Sequence, residues 1–191
     1  MDKRGEIMQA ALELIAEQGF HDAPMSEIAK KAGVAAGTIY RYFENKEVLI
    51  NELFQEIEDK ISKAILDGYV IEKPVREKFF FIFIGSFRYF LANPLHFRYM
   101  EQYINSPYGI SKRRDVFLEK KTNHHGHETL RVIFEEGISQ QILKNIPVLV
   151  LFSLFIGPML YLIRDHILGF IVLDEPLIQQ IAEACWDSIK R

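Results

Sequence analysis

Apolar residues recur every three or four positions through most of this chain, which is the period of an α-helix with one buried face. In the first segment Ile7, Ala11, Leu14 and Ile15 follow this spacing, and Gly19 stands where a glycine ends a helix. The strict alternation of apolar and polar residues that marks a strand is missing from the sequence, as is any internal repeat. We therefore predict an all-α protein of about nine helices.

The predicted helices differ in length and in how they begin. Asn45 and Asp174 are expected to act as N-caps of two of them. A segment at 67–74, which contains Gly68, is expected to join two regions, and a turn is expected at 105–109. The predicted helices cover about 7–18, 26–32, 37–43, 46–66, 74–91, 95–104, 112–136, 147–167 and 176–189.

One segment is long enough to raise the question of a membrane. The sequence IPVLVLFSLFIGPMLYLI, residues 146–163, has no charge over a length at the lower limit of a membrane span. Pro147, Gly157 and Pro158 lie within it, and the chain has neither a second such segment nor a polybasic flank. We favour a helix that is buried on nearly all sides by packing against a second copy of the chain. A membrane-associated helical protein is the alternative.

Composition limits the classes that remain. The 191 residues are 49% hydrophobic, enough for a core. Cys185 is the single cysteine, so an internal disulfide is excluded and a reducing, cytoplasmic location is expected. Glutamates at 6, 13 and 17 interrupt the first apolar segment, unlike a secretion signal. The net charge of −3 gives no global attraction to nucleic acid, so any such binding depends on a local surface.

The stretch AGVAAGTIYRYFENK, residues 32–46, has the features of a helix-turn-helix. Two short helices are joined by a tight turn that contains Gly33, and Ala29 is small enough for close approach. Ile39 and Phe43 are four residues apart and share the inward face of the second helix. The outward or flanking residues are Gly37, Thr38, Tyr40 and Arg41.

Each outward residue suits contact with a DNA groove or backbone. A recognition helix enters the major groove by its N-terminal end, where Gly37 allows close approach and Thr38 can bond to a base edge or a phosphate. Arg41 can bond to a guanine or a phosphate, and Tyr40 and Tyr42 offer hydroxyl groups to phosphate oxygens. Lys46 stands at the start of the next helix, where its charge adds to the free N–H groups of a helix end.

Through IMQAALELIAEQGF and MSEIAKKAGVAAGTIYRYFENKEVLI, about the first 55 residues, the sequence resembles the TetR/AcrR-type bacterial transcription regulators. The resemblance implies a dimer that binds a pseudo-palindromic operator with its third helix in the major groove. By position, it implies DNA contacts from Ser26, Ala36, Gly37, Thr38, Tyr40, Arg41, Tyr42 and Lys46. The sequence departs from the family at Pro24, where threonine is common, and at Ala35 and Ala36, where polar residues are frequent. An alanine can contact only a thymine methyl group.

Charge within the first 50 residues tests this interpretation. They contain six lysines or arginines and eight acidic residues, so the segment as a whole is slightly acidic. Glu13 and Glu17 are expected on the side away from DNA. The basic residues expected on the binding side are Lys3, Lys30, Lys31, Arg41 and Lys46. We expect few phosphate contacts per subunit and a moderate salt dependence.

The region from 79 to 108 contains eleven aromatic residues. Aromatic residues at helical spacing most often pack in the hydrophobic core and have no role in ligand binding. Because the resemblance implies a second domain that senses a small molecule, part of this cluster is the candidate lining of an effector cavity. An apolar or aromatic effector would suit it. The candidate ligand-binding residues are Phe83, Phe87, Arg88, Phe90, Tyr99, Gln102 and Tyr103.

Metal binding and catalysis find little support. His124, His125, His127 and Glu128 lie close together, but no cysteine or second ligand pair accompanies them, so surface histidines are favoured over a zinc site. The sequence contains no G-x-S-x-G, Walker A, H-E-x-x-H or dinucleotide-binding motif. We expect no enzyme, no catalytic residues, no metal and no cofactor, and Cys185 is expected to be inert packing.

These observations predict a DNA-binding domain at 1–47 and an effector-binding and dimerisation domain at 48–191. The last two helices are expected to form a four-helix bundle with those of a second subunit. The two recognition helices would then lie about 34 Å apart, or at a multiple of that spacing. An effector that shifts the helix at 46–66 would release the operator, as in a repressor. A helical small-molecule binder without DNA binding is the other alternative.

Overall fold

The computed structural model describes residues 2–117 and 125–191, and within them the side chains of 2–113 and 128–191. These residues form ten α-helices, with a single isolated β-bridge between Leu143 and Lys190, so the prediction of an all-α fold is confirmed. The helices are α1 Lys3–Gln18, α2 Met25–Lys31, α3 Ala36–Ile39, α4 Lys46–Leu66, α5 Val75–Ala92, α6 Pro94–Ile104, α7 Pro107–Phe117, α8 His125–Ser139, α9 Val148–Ile167 and α10 Glu175–Ile189.

Helix ends follow local side-chain chemistry. The side chain of Asn45 accepts a hydrogen bond from the amide of Val48 at 3.0 Å, and that of Asp174 accepts one from Leu177 at 2.9 Å. Both predicted N-caps are therefore confirmed, because a cap satisfies an amide that the helix leaves without a partner. Asp2 caps α1 in the same way. Gly19 ends α1 with a φ of 81°, in the left-handed region that favours glycine.

The region after α6 differs from the prediction. One helix, with a break at Gly126 as the alternative, was expected at 112–136 after a turn at 105–109. Residues 118–124 of that helix lie outside the described residues, which place α7 at Pro107–Phe117 and α8 at His125–Ser139. Pro107 opens α7 because a proline in the first turn loses no helical hydrogen bond. The hydroxyl of Ser106 also accepts from the amide of Gly109 at 3.2 Å. The second half of the predicted turn is thus wrong, and the helix count is ten in the described residues.

The chain divides into two compact units. Unit 1 consists of Met1–Glu58 and Asn93–Lys120, and unit 2 consists of Asp59–Ala92 and Lys121–Arg191. The helices α6 and α7 therefore belong to the same unit as the helix-turn-helix. This is a different division from the predicted domains at 1–47 and 48–191, whose boundary stays a prediction about function.

Aromatic residues form the core of unit 2. The rings of Phe79 and Phe83 are stacked, and the ring of Phe155 of α9 is nearly perpendicular to both. Trp186 of α10 lies against Phe79 with ring centroids 5.4 Å apart, and Phe134 of α8 lies against Phe155. These contacts build the core between the α5 face and the helices α8, α9 and α10.

The helix α9 is apolar on more than its buried face. It is long and apolar enough to cross a membrane, but only 28% of its most apolar window is buried inside the chain. Leu149, Val150 and Tyr161 are exposed. Length and composition alone are weak evidence for a membrane span. A single chain does not bury α9 on all sides, so the predicted burial requires another surface.

Candidate DNA-binding and effector sites

A tight turn joins α2 to α3. The amide of Val34 donates to the carbonyl of Ala29 at 3.0 Å, and Gly33 adopts a φ of 67°. Ile28 and Ala29 are buried beneath the turn. The positive φ explains the glycine, since other residues rarely adopt this conformation.

The segment that follows presents the predicted contact residues to solvent. Ile39 and Phe43 are fully buried, as their spacing predicts. Ser26 at the start of α2 is exposed, and Thr38 is half-buried. The other exposed members of the predicted set are Ala36, Gly37, Tyr40, Arg41 and Tyr42. The α3 helix itself is only Ala36–Ile39, and Tyr40–Tyr42 form turns after it.

Gly37 is not required by the fold. A Cβ atom built at this position meets no atom within 4 Å, and its φ lies outside the left-handed region. An alanine would therefore fit within the chain. Packing within the chain therefore gives no reason for the absent side chain at this position.

Lys46 is half-buried at the start of α4, where its amine donates a hydrogen bond to the carbonyl of Phe20. Burial lowers the pKa of the Lys46 amine, and the nearby charge of Asp22 opposes this change. An ammonium group has three donors, so two remain for other acceptors. The structure thus holds Lys46 beside the end of α1.

The distribution of charge differs from the expectation in one respect. Lys31 forms an ion pair with Glu13 at 3.0 Å. A hydrogen bond from Gln9, followed by this contact with Lys31, lowers the pKa of the Glu13 carboxyl. Glu13 was expected on the side away from DNA and Lys31 on the binding side, but the two residues are in contact because α1 and α2 pack together. Lys30 lies 3.7 Å from Glu27. Neither lysine presents a charge without an acidic neighbour.

Arg4 connects three elements, and the sequence analysis missed it. Its guanidinium donates to Glu52 of α4 at 2.7 Å, lies 3.9 Å from Glu56, and lies over the ring of Phe43 at 5.6 Å. Phe43 is the buried anchor behind residues 37–42, the candidate recognition segment. Arg4 thus fixes the start of α1 to α4 and to that anchor. The i,i+4 pair of glutamates on α4 is the signal that pointed to a basic partner.

Three of the predicted effector residues belong to unit 1. The hydroxyl of Tyr99 donates to the carbonyl of Ile50 at 2.7 Å, and Tyr99 is fully buried. The ring of Tyr103 is stacked on Phe54 at 3.9 Å. Gln102 lies beside Gly19, where an added Cβ would be 3.5 Å from the amide oxygen. These side chains hold α6 against α1 and α4.

The other four predicted effector residues belong to unit 2. Phe83 and Phe87 are fully buried with ring centroids 5.2 Å apart, and Phe90 is buried near the end of α5. Arg88 is exposed and makes a two-point ion pair with Glu175 at 2.8 Å. Arg88 therefore faces solvent and α10 rather than the aromatic core. The seven predicted residues are divided between the two units.

The remaining candidates carry no site in the described part of the chain. The side chains of His124, His125 and His127 lie outside the described residues, and among those described no group of three metal-ligating side chains occurs. Cys185 is buried, and burial raises the pKa of its thiol.

Both halves of the chain match known protein families. Residues 7–53 match the bacterial regulatory proteins of the tetR family, and residues 74–190 match a tetracyclin repressor-like C-terminal domain. The fatty acid metabolism regulator protein of Bacillus subtilis is 57% identical over 51 residues, which are 27% of this chain and 26% of that protein.

Two solved structures extend the likeness to nearly the whole chain. A TetR family protein from Vibrio parahaemolyticus is 31% identical, with a TM-score of 0.77 and coverage of 100% of both chains. FadR from Bacillus subtilis, in complex with stearoyl-CoA, is 24% identical with a TM-score of 0.72, covering 96% of this chain and 95% of that one. The second likeness is one of fold.

Proposed function

Because the chain belongs to the TetR family of bacterial regulatory proteins, we propose that it is a cytoplasmic repressor that binds a pseudo-palindromic operator as a homodimer and is released by a small apolar or aromatic effector. Regulators of this family bind DNA as dimers and respond to small molecules. The observation that carries the proposal is the exposure of Tyr40, Arg41 and Tyr42 around the fully buried anchors Ile39 and Phe43.

Each exposed residue has a role in the proposed complex. Arg41 reads a guanine or holds a phosphate, and the hydroxyl groups of Tyr40 and Tyr42 bond to phosphate oxygens. Thr38 contacts a base edge or a phosphate, and Gly37 admits the DNA backbone. Ser26, Ala36 and Lys46 complete the proposed set by their position in the family pattern.

The relatives suggest where to look for operator and effector. The Bacillus subtilis fatty acid metabolism regulator is 57% identical over 51 residues, which supports an operator of a similar kind. The stearoyl-CoA bound by Bacillus subtilis FadR makes a long-chain acyl-CoA the first effector to test. An acyl chain would find apolar partners among aromatic side chains such as Phe83, Phe87 and Phe90. The other four candidates stay predictions from the sequence, because Arg88 faces solvent and Glu175, and Tyr99, Gln102 and Tyr103 belong to unit 1.

Selection of bound fragments from upstream genomic DNA, followed by a fluorescence titration, tests the DNA-binding assignment. The Tyr40→Ala, Arg41→Ala double variant should lose the preference for the selected operator and keep its fold and its dimer. The loss of one good base contact alone costs about 1–3 kcal/mol of the binding free energy that distinguishes the operator from other DNA. Lys73→Ala is the charge-matched control, since Lys73 is exposed between α4 and α5 and its loss also removes one positive charge.

The outcomes separate the candidate functions. Unchanged binding by the double variant would refute the site assignment. A folded dimer that selects no fragment, yet is stabilised against heat by an acyl-CoA or an aromatic compound, would instead be a small-molecule binder without DNA binding. An equal loss in the Lys73→Ala control would mean that net charge, and not the recognition segment, determines the affinity.

A further inference from the structure

A closed series of contacts in unit 1 begins and ends on α4. The amine of Lys46 donates to the carbonyl of Phe20, which lies in the turn after α1. The ring of Phe20 meets the ring of Tyr99 of α6, with centroids 5.7 Å apart and an angle of 70° between the planes. The hydroxyl of Tyr99 donates to the carbonyl of Ile50 at 2.7 Å, one helical turn after Lys46. The start of α4 is therefore tied to itself through α1 and α6.

Phe20 is enclosed by aromatic side chains of two helices. Besides Tyr99, its ring is steeply inclined to Tyr103 of α6 and to Tyr108 of α7, with centroids 6.4 and 5.8 Å away. Inclined aromatic pairs at such distances are favourable beyond the area that they bury. Tyr99 and Tyr103 are themselves buried, so the rings that hold Phe20 are fixed in the core of unit 1.

The carbonyl that Lys46 binds depends on this enclosure for its position. Gly19 ends α1 with a φ of 81°, and residues 19–22 form turns. A carbonyl beyond the end of a helix has no place in the helical hydrogen-bond ladder, so side-chain contacts determine where it lies. The ring of Phe20 supplies those contacts.

A lysine that is held before DNA arrives binds a phosphate more tightly than a freely moving one. The long stem of a lysine loses rotamer freedom when its amine is fixed, and this loss opposes binding. Lys46 is half-buried and already donates to Phe20, so part of that freedom is lost in the unbound protein. Preorganisation of this kind raises affinity without adding a contact.

We propose that Phe20 is a positioning residue of the DNA site, whose ring, enclosed by the three tyrosines, fixes the carbonyl that holds Lys46 ready for an operator phosphate. The proposal rests on the proposed function, in which Lys46 contacts DNA, and it adds a residue that acts through Lys46. It also gives the rings of Tyr99, Tyr103 and Tyr108 a role in operator binding.

A double-mutant cycle measures the coupling between the two residues. The full-length chain carries Phe20→Leu, Lys46→Met or both, and operator affinity is measured by fluorescence titration. Lys46→Met should weaken binding at least about tenfold, and Phe20→Leu about three- to tenfold. In the Lys46→Met background, Phe20→Leu should have almost no further effect, because the side chain that Phe20 positions is gone.

A second variant keeps the cycle informative if Phe20→Leu does not fold. Tyr108→Leu leaves Phe20 in place and removes one of the rings around it. It should weaken operator binding in the same direction as Phe20→Leu but less, and should again have no effect in the Lys46→Met background. A loss of equal size in both backgrounds would contradict the enclosure as a positioning device.

The salt dependence of the affinity distinguishes a phosphate contact at Lys46 from a merely structural lysine. Lys46→Met should reduce the slope of log affinity against log salt concentration by about one for each subunit. Lys63→Met removes the same charge from an exposed position farther along α4 and is the matched control. No decrease of the slope in Lys46→Met, or an equal decrease in Lys63→Met, would overturn the assigned role of Lys46.

A readout without DNA tests the contact by itself. Acetic anhydride modifies accessible amines, and mass spectrometry of the free protein gives the rate at Lys46 relative to the exposed Lys63. Phe20→Leu should raise this ratio several-fold, because the amine of Lys46 loses its fixed acceptor. Gly137→Ala introduces a steric clash in unit 2 and should leave the ratio unchanged, which controls for a general loss of stability.

The outcomes separate failure of the positioning from failure of the proposed function. An equal loss of affinity on Phe20→Leu in both backgrounds would mean that Phe20 acts on the fold of unit 1 and not through Lys46. An unchanged labelling ratio in Phe20→Leu would overturn the proposal whether or not an operator is found. A raised ratio in a chain that binds no operator would overturn the proposed function, and with it the DNA role of Phe20, while the contact itself would stand.

Discussion

The hydroxyl of Tyr99 offers the sharpest test of the packing between α6 and α4. It is a buried group that donates to the carbonyl of Ile50 at 2.7 Å, and Tyr99→Phe removes it with little change of shape. Because Ile50 lies inside α4, its carbonyl keeps the backbone hydrogen bond of the helix. The substitution therefore leaves no buried acceptor without a donor. The expected loss is therefore one short hydrogen bond and a hydroxyl-sized void, about 1–2 kcal/mol in the free energy of unfolding.

Tyr103→Phe is the matched control on the same helix, one turn away. The hydroxyl of Tyr103 lies 3.4 Å from the side-chain oxygen of Asn51, a long and weak hydrogen bond. Its removal should cost less than about 0.5 kcal/mol. Urea unfolding of both variants at one protein concentration measures the difference, since the stability of a dimer depends on concentration. Equal losses in the two variants would refute the assigned role of the Tyr99 hydrogen bond.

The same pair of variants predicts a dependence on pH. Burial, with a smaller effect of Tyr103, raises the pKa of the Tyr99 hydroxyl far above its ordinary value. As the pH passes about 10, a tyrosine in the unfolded chain loses its proton while Tyr99 in the folded chain keeps it. The stability that this group contributes is complete below that pH and is lost as the pH rises, by up to about 1.4 kcal/mol per unit. The advantage of the unmodified chain over Tyr99→Phe should therefore shrink above pH 10, and a constant advantage would contradict the burial of the hydroxyl.

Three further changes have definite expected results. Gly137→Ala should lower the free energy of unfolding by about 1–3 kcal/mol, because the added Cβ would lie 2.6 Å from the buried side chain of Leu143. Urea unfolding measures this loss, and an unchanged midpoint would contradict the packing. If the 2.7 Å contact between Arg4 and Glu52 positions the recognition segment, Arg4→Gln and Glu52→Gln should both weaken operator binding in a fluorescence titration. A purely electrostatic effect would instead weaken binding in Arg4→Gln and strengthen it in Glu52→Gln. Cys185 should react with iodoacetamide at pH 8 at least about tenfold more slowly in the folded chain than in urea, because burial raises the pKa of its thiol. Equal rates would show that the thiol is accessible in the folded chain.

Features that depend on neighbours in the sequence were predictable. Asn45 and Asp174 cap their helices because the capped amide lies three residues away, so the chemistry is contained in one short segment. The burial of Ile39 and Phe43 follows from the helical period alone. The exposure of Tyr40, Arg41 and Tyr42 between them follows from the same period.

Features that depend on distant neighbours were not predictable from the pattern. Tyr99 and Phe83 belong to one aromatic stretch of sequence, yet the structure assigns them to different compact units. The separation occurs at Asn93, where the chain leaves α5, and a helical period gives no information about which helix packs on which. Lys31 was expected on the DNA side for the same reason, although Glu13, far away in sequence, holds it at 3.0 Å.

Coupling between effector and operator has a consequence that holds whatever path the signal takes. The helix α4 begins at Lys46 beside the recognition segment and passes from unit 1 to unit 2 after Glu58, so the two proposed sites share one continuous element. An effector can change operator affinity only by binding the two states of the protein differently, and a tenfold change requires about 1.4 kcal/mol of such difference. Linkage then requires the operator to weaken effector binding by the same factor. Calorimetric titration of the effector into the free protein and into its operator complex measures the effector affinity of each. Equal affinities in the two titrations would exclude release of the operator by this effector.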